Sequence, residues 1–220
     1  ALEAVANIKQ QQLLDNWQER HNQISTLASN LSNSYDGLDT NALLSSSNYD
    51  RPIFENFIAT FGYRELKLVL PDGTVMFSLR RGDDYQNNLG SQALRNTPLA
   101  QLVKHSAEQR QILISDLLYN ELSQAPTQYL AAPIGSGDEL QMTLVLELPI
   151  APLNAVMQTR QGLGEQGETY LVGSDSRLRS DSVRFPELQV NRSLSPSTAL
   201  TANAISRALA GQQGRLEEAG

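Results

Sequence analysis

Leu68-Val69-Leu70-Pro71-Asp72-Gly73-Thr74-Val75-Met76-Phe77-Ser78 and Leu171-Val172-Gly173-Ser174-Asp175-Ser176-Arg177-Leu178-Arg179-Ser180-Asp181 read as one hairpin written twice. The Leu-Val pair and the turn Asp keep the same spacing. In each copy an apolar strand runs into a tight turn and out again along a second strand. Each hairpin follows a helix-like segment, so the chain reads as two related α+β modules and not as one enzyme fold.

Working outward from the first copy, Pro71 presets the turn and Gly73 accepts a positive φ, which predicts strands over 64–70 and 74–79. Upstream, Pro52 suits a helix start, Phe54, Phe57, Ile58 and Phe61 form one apolar face, and Gly62 stops the helix. Downstream, the polar stretch 80–96 reads as a loop, and Thr97-Pro98 opens a helix whose face is Leu99, Leu102 and Val103. Three further strands are expected over 111–115, 128–134 and 140–148. In the last, Leu140, Met142, Leu144, Leu146 and Leu148 share a face, and Gly135-Ser136-Gly137-Asp138 makes the hairpin before it. An antiparallel sheet of about five strands with helices on its faces follows.

Residues 149–160 read as a helix, and the second module begins near Gly162. It has strands expected at 168–173 and 177–182, a Pro/Ser-rich loop, and a helix near 198–210, with no closing strands. At the other end, 2–33 predicts a long helix. Trp17, Ile24 and Leu31 recur every seven residues with Leu13 and Leu27 beside them, a narrow stripe on a polar helix. The stripe suits a stalk packed along one neighbour or a dimer seam; a surface helix lying along its own domain is the other reading. A Ser/Asn/Asp-rich connector with Asp39 capping a short helix at 40–45 completes the partition into 1–50, 51–150 and a truncated 151–220. Both ends look cut, as in a piece of a longer protein.

Composition narrows the function. With 17 Lys+Arg against 24 Asp+Glu the formal charge is −7, which argues against nucleic acid as a partner. The absence of cysteine removes disulfides, thiolate metal sites and cysteine catalysis, and His21 and His105 lie far apart in helix-like contexts. Gly162-Leu163-Gly164 is not followed by a phosphate-loop or dinucleotide pattern, Gly-x-Ser-x-Gly does not occur, and no calcium-loop spacing is present. The sequence therefore calls for no enzyme activity, cofactor or metal. No run of about 18 apolar residues occurs either.

The run from Gly162-Leu163-Gly164-Glu165-Gln166-Gly167-Glu168-Thr169-Tyr170-Leu171-Val172-Gly173-Ser174-Asp175 to Arg179-Ser180-Asp181-Ser182 is similar to one common in double Cache domains. These are PAS-like extracytoplasmic sensors of bacterial methyl-accepting chemotaxis proteins, sensor kinases and cyclases. The first half resembles them too, in its long helix, the strand pair at 64–79, Thr97-Pro98-Leu99-Ala100, Ile112-Leu113-Ile114-Ser115-Asp116 and Tyr129-Leu130-Ala131-Ala132-Pro133-Ile134. The resemblance implies a periplasmic domain of an inner-membrane receptor. It would bind a small molecule in the first module and form a homodimer along the N-terminal helix. It leaves the ligand class and the output domain open.

In that family the ligand lies between the sheet and the loop after the second strand, which here carries Arg80-Arg81-Gly82-Asp83-Asp84-Tyr85. The strand that often ends in an ammonium-binding acid matches Ile112 to Asp116. Amino-acid-binding members carry a Trp-Tyr pair shortly after the loop arginine; only Tyr85 stands here, which counts against an amino-acid ligand. Arg80 or Arg81 offers a planar fork for a carboxylate, or pairs with Asp83 and Asp84 at the surface. At most one arginine faces a pocket if the strand continues. Asp116 suits an amine or hydroxyl, or caps the following turn. Tyr119 and Tyr129 supply flat apolar faces with a polar tip, or ordinary sheet packing. The candidate ligand residues are thus Arg80, Arg81, Asp84, Tyr85, Asp116, Tyr119 and Tyr129. A periplasmic protein-interaction module without a pocket is the alternative from another class.

Overall fold

The computed structural model describes residues 2–120, 125–190 and 200–214. The helices are α1 (Leu2–Ser34), α2 (Thr40–Tyr49), α3 (Arg51–Phe61), α4 (Pro98–Gln109), α5 (Ala151–Met157) and α6 (Asn203–Leu209). The strands are β1 (Glu65–Val69), β2 (Val75–Ser78), β3 (Leu113–Ile114), β4 (Leu118–Asn120), β5 (Ala125–Ile134) and β6 (Met142–Pro149). The fold class is the expected α+β with a long N-terminal helix.

The helix ends form where local chemistry places them. Asp39 accepts from the Ala42 amide at 2.8 Å and Thr97 from the Ala100 amide at 3.3 Å, with Pro98 in the first turn of α4. Gly62 closes α3 in the left-handed region at φ 74°. The start expected at 198 for the last helix lies outside the described residues.

Contacts divide the chain into two compact units, one of Ala1–Gln18, Gln124–Pro126 and Ile150–Gly220, the other of Glu19–Ser123 and Thr127–Pro149. The second unit contains the antiparallel sheet, in the order β2-β1-β6-β5-β3 with β4 also on β5. The added strand β4 makes six where about five were expected. The β5–β6 turn requires glycine at 135, where φ is 156° and a Cβ would lie 2.0 Å from the Glu139 carbonyl oxygen.

Strand β6 was expected to alternate, but Met142 to Leu148 are all buried, because both faces of the sheet are covered. On one face Val69, Val75, Tyr129, Ala131 and Val145 form a cluster with Leu99, Leu102 and Val103 of α4. On the other lie Leu66, Leu68, Leu130, Leu144 and Leu146, all fully enclosed. There α2 lies against β2 and α3 against β1, and Phe54 meets Phe77 edge-on at 5.5 Å. Ile24, Leu27, Ala28 and Leu31 of α1 are buried as well, so the lower half of the apolar stripe is enclosed by this chain itself.

The first unit carries the second hairpin in reduced form. Its turn repeats the first. Asp72 accepts from the Thr74 amide at 2.9 Å and Asp175 from the Arg177 amide at 3.1 Å, and the residue after each Asp has positive φ (Gly73 92°, Ser176 62°). The strands expected at 168–173 and 177–182 shrink, however, to a single bridge between Val172 and Leu178. Two backbone bonds hold that bridge, from the Gly173 amide to the Arg177 carbonyl at 2.8 Å and from the Arg179 amide to the Leu171 carbonyl at 2.6 Å; beyond them the Ser180 hydroxyl accepts from the Leu171 amide, and the Arg179 guanidinium fills the space over Gly173. In the same unit Lys9, 5% exposed, donates to the carbonyls of Val156, Met157 and Thr159 at 2.7–2.8 Å.

Candidate functional site

The residues β1 turns toward the α4 side of the sheet, away from α2 and α3, are Glu65, Lys67 and Val69. Register sets Glu65 opposite Glu147, Lys67 opposite Val145, and Tyr129 opposite Glu147. Three charges and a phenol therefore share one patch of the sheet. Above it the segment after β2 folds back, and the start of α4 closes the far side. The cavity so formed has a volume of about 460 Å³. Its lining includes Arg64, Glu65, Lys67, Arg80, Asp84, Tyr129 and Glu147, with Leu89, Leu94, Leu99 and Leu118 as apolar wall.

Each of these charges has defined partners. Glu65, 3% exposed, accepts from the Ser78 hydroxyl at 3.0 Å and from the Leu66, Leu79 and Arg80 amides at 2.8–3.1 Å. It therefore fixes the backbone where β2 gives way to the loop. Lys67 Nζ donates to both carboxylate oxygens of Asp84 at 2.6 Å, tying the loop to the sheet. Side-chain exposures of 8% and 12% make this a buried pair, and removing one partner of such a pair costs about 3–5 kcal/mol.

Glu147 faces Arg64 at 3.6 Å. Burial pushes its carboxyl above the usual value, against the pull of Arg64 and Lys67. Burial likewise pushes the Tyr129 phenol well above the ordinary tyrosine value, with Glu147 and Asp84 adding to the shift. Its oxygen accepts from the Asn120 side chain at 2.8 Å.

Of the residues expected from sequence, Arg80, Asp84, Tyr119 and Tyr129 line this cavity; Arg81, Tyr85 and Asp116 do not. Arg81 sits at φ 51° and stacks its guanidinium over the Tyr85 ring, 5.6 Å from the centroid. Asp116 is exposed, between β3 and β4, and accepts from the Leu117 amide at 2.6 Å. Arg64, Glu65, Lys67, Asn120 and Glu147 were missed. The available signal was a charge inside an apolar run, as in Leu66-Lys67-Leu68 and Leu146-Glu147-Leu148. Among the described residues no cluster of three or more metal-ligating side chains occurs.

No protein-family model matches the chain, and none of the curated proteins matches it in sequence. Solved structures match it in fold. The sensory domain of the Campylobacter jejuni chemoreceptor Tlp3 with isoleucine bound is 12% identical at a TM-score of 0.65, covering 94% of this chain and 76% of that one. The ligand-binding domain of the Pseudomonas aeruginosa amino acid chemoreceptor PctB in complex with L-Gln is 15% identical, at 0.60, over 88% and 71%. That of the Pseudomonas fluorescens chemoreceptor CtaA in complex with L-serine is 13% identical, at 0.58, over 84% and 71%. The fold of this chain is thus that of bacterial chemoreceptor sensory domains.

Proposed function

We propose, with that shared fold as premise, that the chain is the ligand-sensing part of a bacterial chemoreceptor and takes a small molecule in the cavity between the sheet and the loop after β2. The cavity carries this reading: it has the size of a small-molecule site, an apolar wall, and a few converging charges. Its roof is a loop held by the Lys67–Asp84 pair, so an occupant that touches both roof and floor biases the loop between two positions. Strand β6 bears Glu147 and runs through Pro149 into α5, whose last carbonyls hold Lys9 of α1. A change in the pocket has that covalent and hydrogen-bonded route to the N-terminal helix. The receptor is membrane-anchored with this part in the periplasm, and pairs along α1 through residues outside the enclosed stripe. Among the described residues no helix is long and apolar enough to cross a membrane.

The test is a thermal-shift screen of the 220-residue domain against amino acids, organic acids, amines, purines and sugars. One chemical class is expected to raise the melting temperature with dose, the folded state gaining about 2.7 kcal/mol at a hundred times Kd. A flat response from the folded protein across every class would defeat the reading.

A further inference from the structure

We infer that the second unit carries a further binding site, a groove where the end of α1 meets α2 and the start of α3, and that it takes an uncharged sugar ring. The groove has a volume of about 550 Å³ and is lined by Ser34, Tyr35, Ser45, Ser46, Tyr49 and Asp50, none of which lines the cavity. Tyr49 is 85% exposed, more than any other large apolar or aromatic side chain among the described residues. A single aromatic ring in water means little by itself. This one stands beside a carboxylate and three hydroxyls that the protein leaves available.

Asp50 closes α2 and opens α3, a position where an aspartate ordinarily accepts from an amide of the following helix. Here its carboxylate makes no such bond. Oδ2 instead accepts at 2.8 Å from the hydroxyl of Tyr35, itself 2% exposed, so the group is held at the groove with Oδ1 still able to accept. The serines show the same contrast. Ser32 and Ser47 donate to carbonyls one turn back, at 2.9 and 2.7 Å, as helical serines commonly do. Ser34, Ser45 and Ser46 make no such bond among the described residues. A sugar ring matches this set. Its C–H face lies on the Tyr49 ring, and its rim hydroxyls donate to Asp50 and exchange hydrogen bonds with the serines. Asp50 is the one charge among the described lining residues, so an anion would be repelled. A simple ammonium would use Tyr49 and Asp50 but leave the hydroxyls idle.

The test is an NMR amide-shift titration of the 220-residue domain with glucose, galactose, N-acetylglucosamine and maltose, with choline and acetate beside them. At least one sugar is expected to shift the amides of residues 34–50 with a millimolar Kd, as suits an open groove, while choline and acetate leave them in place. Tyr49→Ala should weaken that sugar about tenfold with the rest of the spectrum unchanged, and Tyr49→Phe should keep most of the affinity. Amides of 34–50 that stay put with every sugar at about 100 mM overturn the inference. So does choline binding there with the sugars silent, or a sugar affinity that Tyr49→Ala leaves unchanged. Sugar shifts confined to cavity residues such as Leu89 and Tyr129 overturn it too, and support the sensing role instead.

Discussion

Glu147 is a carboxyl at odds with its surroundings. It belongs to a strand in which Met142 to Leu148 are buried, and burial outweighs the attraction of Arg64 and Lys67. Its proton is held more tightly in the folded protein than in the unfolded chain, where the carboxyl titrates near 4.5. The stabilising share of that proton is present below the unfolded value and lost as pH rises through the raised folded value. Glu147→Gln keeps the shape without the charge. Its melting temperature should climb relative to the parent as pH goes from about 4 to 7, and calorimetry across that range would expose a pH-independent difference if the argument is wrong. Sequence alone marked Arg80, Asp84 and Tyr129 because loop position and aromatic type are local properties. It passed over Lys67 and Glu147 because which face of a strand is roofed, and by what, is a long-range property. Arg81 and Asp116 went the other way: Arg81 sits at a positive φ and the Asp116 carboxylate accepts from the next amide, so neither side chain, suggestive in type, lines the cavity.

At the scale of elements, what punctuation in the chain announces came out as expected. Pro-Asp-Gly, Thr-Pro and the stopping Gly62 each made the turn or cap their chemistry favours. Strand β4 was not foreseen; it has only the three residues Leu118–Asn120, too few to show an alternation. The second hairpin shows the converse limit, since its Asx turn forms but its flanks do not become strands. Ladder formation depends on a neighbouring strand to pair with, and that is not written in the hairpin itself. Helix α5 gives the prediction at this scale. Its carbonyls at the C-terminal end would be unsatisfied by the helix, and the Lys9 ammonium supplies three donors where burial pushes the lysine below its usual value. Lys9→Met retains the aliphatic stem and removes the donors. Urea unfolding should lose about 2–3 kcal/mol, with faster amide exchange in α5. Unchanged exchange there would show that water caps the helix equally well.

For the whole molecule, the length and the α+β pattern bounded the architecture, and the acidic balance argued against nucleic acid as a partner. What they left unread was the burial of the α1 stripe, because a stripe that meets a partner chain and one that meets its own domain have the same spacing. The sheet has one further property at this scale. β2 is its last strand, yet its outer edge is occupied: the Val75 amide donates to Asn87 O at 2.9 Å, Gln86 to Val75 O at 3.0 Å, and Leu89 to Gly73 O at 2.8 Å. The segment that roofs the cavity is therefore also the guard of an edge that would otherwise template another chain. Colloidal behaviour and occupancy become linked. Asp84→Asn, which loosens the roof from Lys67, should make concentrated protein scatter light sooner on standing, and saturating ligand should delay it in the parent. Equal rates in all three samples would separate the roof from the edge. If they differ, the shelf life of the purified domain becomes a readout of whether its pocket is filled.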